Sequence, residues 1–225
     1  MSHVFRRRVR SATTWLMGVL LLAYVAGLLL PGGQESSLVN QWLGLLTFWV
    51  PAAVCWLAAW TATARPAVVR LTAIGVTSYA VGNTYYVWAS ASAVDGSLPF
   101  PSPADLGYLG FVPFMVAALV AGMYHRAPGQ ARFVWLDAVV GTLGAAAVLA
   151  VVLEPELHAA TTGAPSLATA VAIAYPLSDV VMLSVIGGIA ALGARRLGPR
   201  WPFLLAGLLV FAATDVVYAA QTADD

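Results

Sequence analysis

The sequence predicts an all-α fold, a polytopic membrane bundle of seven transmembrane helices. Of the 225 residues, 60% are hydrophobic and only 9% are charged, whereas a soluble domain carries about 25% charged residues. The apolar residues also fall into seven runs. Each run is close to the ~20 residues that a helix needs to cross a membrane. Most of the charged residues lie between these runs, so the chain is predicted to lie largely within a bilayer.

The chain begins with a basic tail, residues 1–14, which contains four arginines. A membrane domain, residues 15–220, follows, and residues 221–225 form a tail that we expect to continue in a longer protein. The spans are predicted at residues 15–30, 42–62, 67–89, 102–123, 133–153, 167–192 and 201–220. Tryptophans lie near several span ends, as interfacial anchors do.

The arginines predict the orientation of the bundle. All eleven basic residues are arginine, and they lie in the N-terminal tail or at the second, fourth and sixth connections. The first, third and fifth connections contain none. Because arginine-rich connections stay in the cytoplasm, the N-terminus is predicted to be cytoplasmic. Seven spans then place the C-terminus outside.

A weak internal repeat links the third and seventh spans. Asn83 and Tyr86 match Asp215 and Tyr218 at a constant offset of 132 residues, and a glycine precedes each pair by eight residues. Chance is the alternative, since few residues are identical. If the repeat is real, two similar bundles lie in tandem and in the same orientation, and a partner of span four lies beyond Asp225.

The sixth span carries unusual residues near its middle. Pro176 is expected to break the helix, because proline removes a backbone donor and clashes one turn back. Ser178 and Asp179 would then cap the half-helix that restarts. A carboxylate at mid-membrane is costly and suggests a functional site. The alternative is a packed kink whose aspartate is neutral or bonded to a neighbouring hydroxyl.

Several polar side chains are predicted to form a layer that faces the outside. Each of the two pairs in the repeat has i,i+3 spacing and therefore shares a helix face. No arginine lies on that side to neutralise a carboxylate, so the layer is expected to sense protons, a cation or an amphipathic ligand. The candidate sensing residues are Asn83, Tyr86, Asp105, Asp215 and Tyr218, with Asp179 deeper in the bilayer.

Structural roles compete with this interpretation. Ser102, Pro103 and Asp105 have the pattern of a helix start, with serine at the N-cap and aspartate at the third helical position. Asp137 lies one turn into span five, where the helix dipole favours an anion. Hydrogen bonds between helices would account for the other polar groups.

Composition and motifs exclude several chemistries. The chain has no lysine, so a retinal Schiff base cannot form. The three histidines lie outside the predicted spans, and we expect no haem, metal or other cofactor. There is no nucleotide-binding fingerprint and no nucleophile motif, so no catalytic residues are predicted. The arginine-rich ends anchor the chain to lipid and do not indicate nucleic-acid binding.

Four segments in order resemble a known family. They are residues 100–109 (FPSPADLGYL), Leu136-Asp137 leading to Leu153-Glu154-Pro155, residues 174–179 (AYPLSD), and residues 214–218 (TDVVY). Together they look like the multi-span N-terminal region of actinobacterial signalling proteins, over about residues 40 to 220. Such proteins usually carry cytoplasmic GGDEF and EAL domains, which make and degrade cyclic di-GMP.

The resemblance implies a location in the bacterial plasma membrane and control of a cyclic di-GMP cyclase or phosphodiesterase. The chain contains no GGDEF or EAL motif, so that activity is implied only for a longer parent. Further spans would be needed to bring an output domain into the cytoplasm. The family supplies no ligand and no site residues for this chain.

The sequence therefore predicts a sensory and anchoring membrane region with no catalysis of its own. Its predicted partners are the lipid bilayer, a small ligand or cation from the outer side, and a second copy of the chain, although no pattern identifies a dimer face. The alternatives are a transporter or channel with intramembrane carboxylates, and a purely structural anchor.

Overall fold

The part of the chain that the structure describes is almost entirely helical. This computed structural model describes residues 3–30, 36–61, 66–93, 98–126, 136, 139, 140, 143, 144, 147, 166–191, 202–211 and 214. The chain divides into two compact units, Met1–Phe114 and Met115–Asp225. Within the described ranges the helices are α1 His3–Leu29, α2 Gly44–Thr61, α3 Pro66–Ser92, α4 Pro103–Arg126, α5 Leu167–Ala191 and α6 Pro202–Phe211. A π-helical segment, Leu38–Leu43, leads directly into α2.

Four helices are long and apolar enough to cross a membrane. They are Ala12–Leu29, Gln41–Thr61, Pro103–Met123 and Leu167–Ile189. Their length and composition indicate a membrane protein, and the predicted all-α class is confirmed. The prediction of seven spans with a cytoplasmic N-terminus stays a prediction.

The other three predicted spans differ in what the structure describes of them. α3 has 27 residues, yet it is too polar to be among the four candidate spans. Its threonine, serine and asparagine side chains lower its hydropathy. The fifth predicted span, with Asp137, lies outside the described residues except for isolated helical positions, and the seventh is described mainly as the ten-residue α6.

Helix starts follow from local chemistry. Ser166 precedes α5, and its Oγ accepts the backbone N–H of Thr169 at 3.1 Å, which is the N-cap bond that supplies a partner to a free donor of the first turn. Pro66, Pro103 and Pro202 are the first residues of α3, α4 and α6. A proline is tolerated there because the N–H that it lacks has no partner within the helix.

The predicted helix break at Pro176 is wrong. α5 runs from Leu167 to Ala191 with Pro176 inside it, so Ser178 and Asp179 lie in the interior of one helix and not at the start of a second. Proline removes one backbone bond, and the helix continues across this loss. α2 and α4 likewise continue past their internal prolines.

In the first unit, α2 and α3 pack antiparallel. Trp49 of α2 bonds to Thr84 of α3. Trp56, further along α2, bonds to Thr77, which lies nearer the start of α3. Small buried residues recur every seven positions on both helices: Ala52 and Ala59 on α2, and Ala73 and Ala80 on α3. This spacing keeps one face of each helix towards its partner, and alanine allows the two backbones to lie close together.

Candidate functional site

A close helix contact in the first unit joins α3 to α4 through two glycines. A Cβ placed on Gly107 would lie 2.5 Å from the Cα of Gly82 and 2.7 Å from its backbone nitrogen. Ser78, one turn before Gly82, donates its hydroxyl hydrogen to the backbone oxygen of Gly107 at 2.9 Å. Small residues that let backbones touch are a common basis of helix association in membranes, so this contact fixes α4 against α3.

An aromatic cluster surrounds Tyr79 of α3 and includes residues of α2 and α4. Its ring centroid lies 5.3 Å from that of Phe48 on α2, 4.9 Å from Tyr108 and 5.8 Å from Phe111, both on α4. Tilted and edge-on pairs at these separations stabilise by about 0.5–1.5 kcal/mol beyond their area burial. Tyr79 therefore links α2, α3 and α4.

Two members of the predicted polar layer lie at the α3–α4 contact. The hydroxyl of Tyr108 donates to Oδ1 of Asn83 at 3.4 Å, a long bond that connects the middle of α3 to the second turn of α4. Asp105 lies one turn before Tyr108 on α4. Tyr86, by contrast, has 44% of its surface exposed. The structure thus brings Asn83 and Asp105 to the same helix pair and leaves Tyr86 at the surface.

Asp105 holds the start of α4, as the sequence pattern predicts. Its carboxylate oxygen Oδ2 accepts the backbone N–H of Ser102 at 2.6 Å, and its own backbone N–H donates to the carbonyl of Ser102 at 3.1 Å. The first of these bonds is one half of a capping box. Asp105 is only 9% exposed, and its carboxylate therefore has a structural role whether or not it also binds a ligand.

Two indole bonds join α2 to α3 in the same way, one heptad apart. Nε1 of Trp49 donates to Oγ1 of Thr84, and Nε1 of Trp56 donates to Oγ1 of Thr77, each at 2.9 Å. Each threonine hydroxyl in turn donates to the carbonyl four residues earlier on α3. Every polar group in these chains has a partner, so the bonds set the register of the two helices at no cost in unpaired donors.

We expect the Trp56–Thr77 bond to contribute about 0.6 kcal/mol, the average for hydrogen bonds between membrane helices. Trp56→Phe and Thr77→Val, alone and combined, would be compared by thermal unfolding in detergent, because the double-mutant cycle isolates the pair. Trp60→Phe is the control, since Trp60 is 78% exposed. A coupling energy of zero would show that the bond does not stabilise the packing of α2 against α3.

The remaining predicted site residues lie elsewhere. Asp179 is half-buried on α5, in the second unit. It lies three residues before Met182 and seven before Ile186, both buried, and therefore on the buried face of that helix. Asp215 and Tyr218 lie outside the described residues, so the structure does not test the layer as a whole.

The sequence interpretation missed the residues that make the α3–α4 contact. Ser78, Gly82, Gly107 and Gly110 are all close to the facing helix. The available signal was the small-residue spacing, four positions on α3 and three on α4. Tyr79 and Tyr108 carry no such signal, because an aromatic residue in a membrane helix faces lipid as readily as a neighbour.

No group of three or more histidine, cysteine, aspartate or glutamate residues that could hold a metal ion occurs among the described residues. In comparisons with known proteins, the chain matches no family model, no curated protein and no solved structure. The site and the membrane helices themselves are therefore the basis for a functional proposal.

Proposed function

We propose that this chain is the sensory and anchoring membrane region of a bacterial signalling protein in the plasma membrane. Three observations support the proposal. Four helices are apolar and long enough to cross a bilayer, the arginines alternate between connections, and four segments resemble the membrane regions of actinobacterial GGDEF and EAL proteins. The chain itself performs no catalysis in this proposal.

The input site that the geometry supports best is the α3–α4 contact. The observation that carries it is the buried Asp105 carboxylate at the start of α4, one turn from the Tyr108–Asn83 bond. A proton, a cation or an amphipathic ligand that reached this layer from outside would compete for these groups. The Ser102–Asp105 bond holds the first turn of α4, and the Tyr108–Asn83 bond joins α4 to α3. Loss of both bonds would therefore allow α4 to repack.

The output of this repacking lies in a longer parent protein. The family resemblance predicts that the reading frame in the source DNA continues beyond Asp225 through further spans to a GGDEF or EAL domain. A stop codon directly after Asp225 would overturn the signalling proposal and favour a carrier or a plain anchor.

Asp179→Asn is expected to reduce the signalling response, because the substitution removes a carboxylate from the buried face of a membrane helix. The full-length gene would be expressed in an actinobacterial host that lacks its own copy, and intracellular cyclic di-GMP would be measured across external pH. Glu35→Gln, in the first connection, is the matched control. Unchanged responses in Asp179→Asn and in Asp215→Asn would remove both carboxylates from the sensing layer.

A cation carrier is the second candidate, and Asp179 favours it. A half-buried carboxylate within a long apolar helix is a feature that ion pathways use. Counterflow of a labelled cation in liposomes containing the purified chain separates the two functions. Transport that Asp179→Asn abolishes would establish the carrier, whereas a plain anchor would tolerate asparagine at every aspartate.

A further inference from the structure

A furrow runs along α3 in the first unit. It consists of two adjoining grooves of about 570 and 380 Å³, each within the range of ligand pockets, about 300–1,000 Å³. Val81 and Tyr85 line both grooves, which therefore lie side by side. The lining begins at Ile74 and ends at Trp88, a helix length of about 21 Å at 1.5 Å per residue. The furrow is therefore long enough for the hydrocarbon of one bilayer leaflet, which is about 15 Å thick, half of the ~30 Å core.

The polar groups on the floor of the furrow already have partners. The Ser78 hydroxyl donates to the Gly107 carbonyl, and the Thr77 hydroxyl donates to the backbone of α3 and accepts from Trp56. The described residues that line the furrow include no charged side chain. An uncharged occupant that needs no hydrogen bonds therefore matches this surface best.

The furrow passes the glycine contact between α3 and α4, since Gly82 and Gly107 both line it. A Cβ on either glycine would meet the backbone of the facing helix, and Leu106 and Phe114 of α4 line the groove beside this contact. A hydrocarbon chain in such a groove has protein atoms on several sides, whereas a chain against a flat helix face has them on one. The groove therefore offers a lipid chain more contacts with protein atoms than a flat helix face does.

The two ends of the furrow differ. Trp49, Tyr85 and Trp88, all exposed, line the end nearest the last turn of α3. The opposite end is lined by Ile74, Phe114 and a half-buried tryptophan, Trp56, whose indole N–H is already bonded to Thr77. Tryptophan and tyrosine favour the membrane boundary, where one part of the ring is apolar and another is hydrated. The aromatic end thus suits the part of a lipid where its chain meets its head group.

We propose that this furrow binds one hydrocarbon chain of a bilayer phospholipid, with the head-group end of the lipid beside Trp88. The inference rests on the proposed function, because it requires that the chain is embedded in a membrane. It adds the class of ligand that binds at the α3–α4 contact. The lipid chain lies directly over the Gly82–Gly107 contact, so its presence or absence changes the packing of α4.

Photolabelling tests the proposal with the full chain in dioleoylphosphatidylcholine vesicles. The vesicles contain a phosphatidylcholine with a diazirine in one acyl chain, and labelled positions are located by mass spectrometry after proteolysis. We expect labelling of the furrow to exceed labelling around Val25, on the exposed α1. Val81→Phe, at a position 52% exposed and common to both grooves, removes the excess. Val25→Phe, at a position 45% exposed, leaves it intact.

Three outcomes overturn the lipid site. Labelling that follows exposure alone and is unaffected by Val81→Phe shows only bulk lipid around the helices. Absence of lipid labels at the furrow, together with a disulfide between two copies of Val81→Cys in a Cys55→Ala background, identifies a second copy as the occupant. If alkaline extraction removes the chain from the vesicles, the proposed membrane function fails as well. A chain that resists extraction but lacks the excess labelling contradicts the furrow alone.

Discussion

Gly107→Ala is expected to destabilise the protein by about 3 kcal/mol, the upper end of the cost of adding a methyl group to a tightly packed site. The new Cβ would lie 2.5 Å from the Cα of Gly82 and 2.7 Å from the carbonyl oxygen of Ser78. Both are backbone atoms, and they can move away only if α3 and α4 separate. Thermal unfolding in detergent, followed by circular dichroism, measures the loss.

Gly18→Ala is the matched control for this substitution. A Cβ at Gly18, within α1, would have no atom within 4 Å, and alanine favours a helix over glycine by about 1 kcal/mol. The same chemical change is therefore expected to stabilise α1 slightly and to destabilise the α3–α4 contact. Equal stabilities for Gly107→Ala and the unmodified protein would contradict the close contact.

Asp105→Ala is expected to lower the free energy of unfolding by about 1–3 kcal/mol. The substitution removes the acceptor of the Ser102 N–H, and an unsatisfied donor at a buried helix start costs about that much. Loss of a cap has a similar effect, about 0.5–2 kcal/mol. The same unfolding measurement applies, and hydrogen exchange at the first turn of α4 would show where the structure opens.

Asp105→Asn separates the cap from the charge. Its side-chain oxygen still accepts the Ser102 N–H, so we expect most of the stability lost in Asp105→Ala to be kept. If the carboxylate also senses a proton or cation, Asp105→Asn would be stable and would not respond. A loss of stability in Asp105→Asn equal to that of Asp105→Ala would show that the charge, and not the hydrogen bond, holds the start of α4.

Local chemistry makes the helix starts predictable. The sequence around Ser102 and Asp105 predicts a capped start, and the structure shows the bond at 2.6 Å. The predicted start of the sixth span at residue 167 agrees with α5. Capping depends on residues within one turn of each other, so a single segment of sequence contains the whole signal.

Features that depend on other helices are not predictable in the same way. The break expected at Pro176 does not occur, because one missing hydrogen bond does not decide whether a helix ends. On α3 the sequence suggests a ligand site at Asn83 and Tyr86, and it does not single out the threonines and serines of the same helix. The structure shows that Thr77, Ser78 and Thr84 bond to the neighbouring helices, a role that follows only once the partners are known.

The α3–α4 contact shows why the candidate site is only partly predictable. Asn83 and Asp105 stand out in the sequence because polar groups in an apolar chain are conspicuous. Gly82 and Gly107, which determine how close the helices come, are two of the twenty glycines of the chain. Composition does not distinguish them, and a Cβ at Gly187, on the sixth predicted span, has no atom within 4 Å among the described residues.

The most direct test of the proposed membrane arrangement is whether the two ends of α3 lie on opposite sides of the membrane. In a Cys55→Ala background, single cysteines replacing Ala64 and Ser97, in the second and third connections, would be exposed to an impermeant maleimide in intact cells. The seven-span arrangement predicts reaction at position 97 in intact cells, and reaction at position 64 only after the membrane is opened. Reaction of both positions from the same side would contradict it, because α3 would then not cross the bilayer.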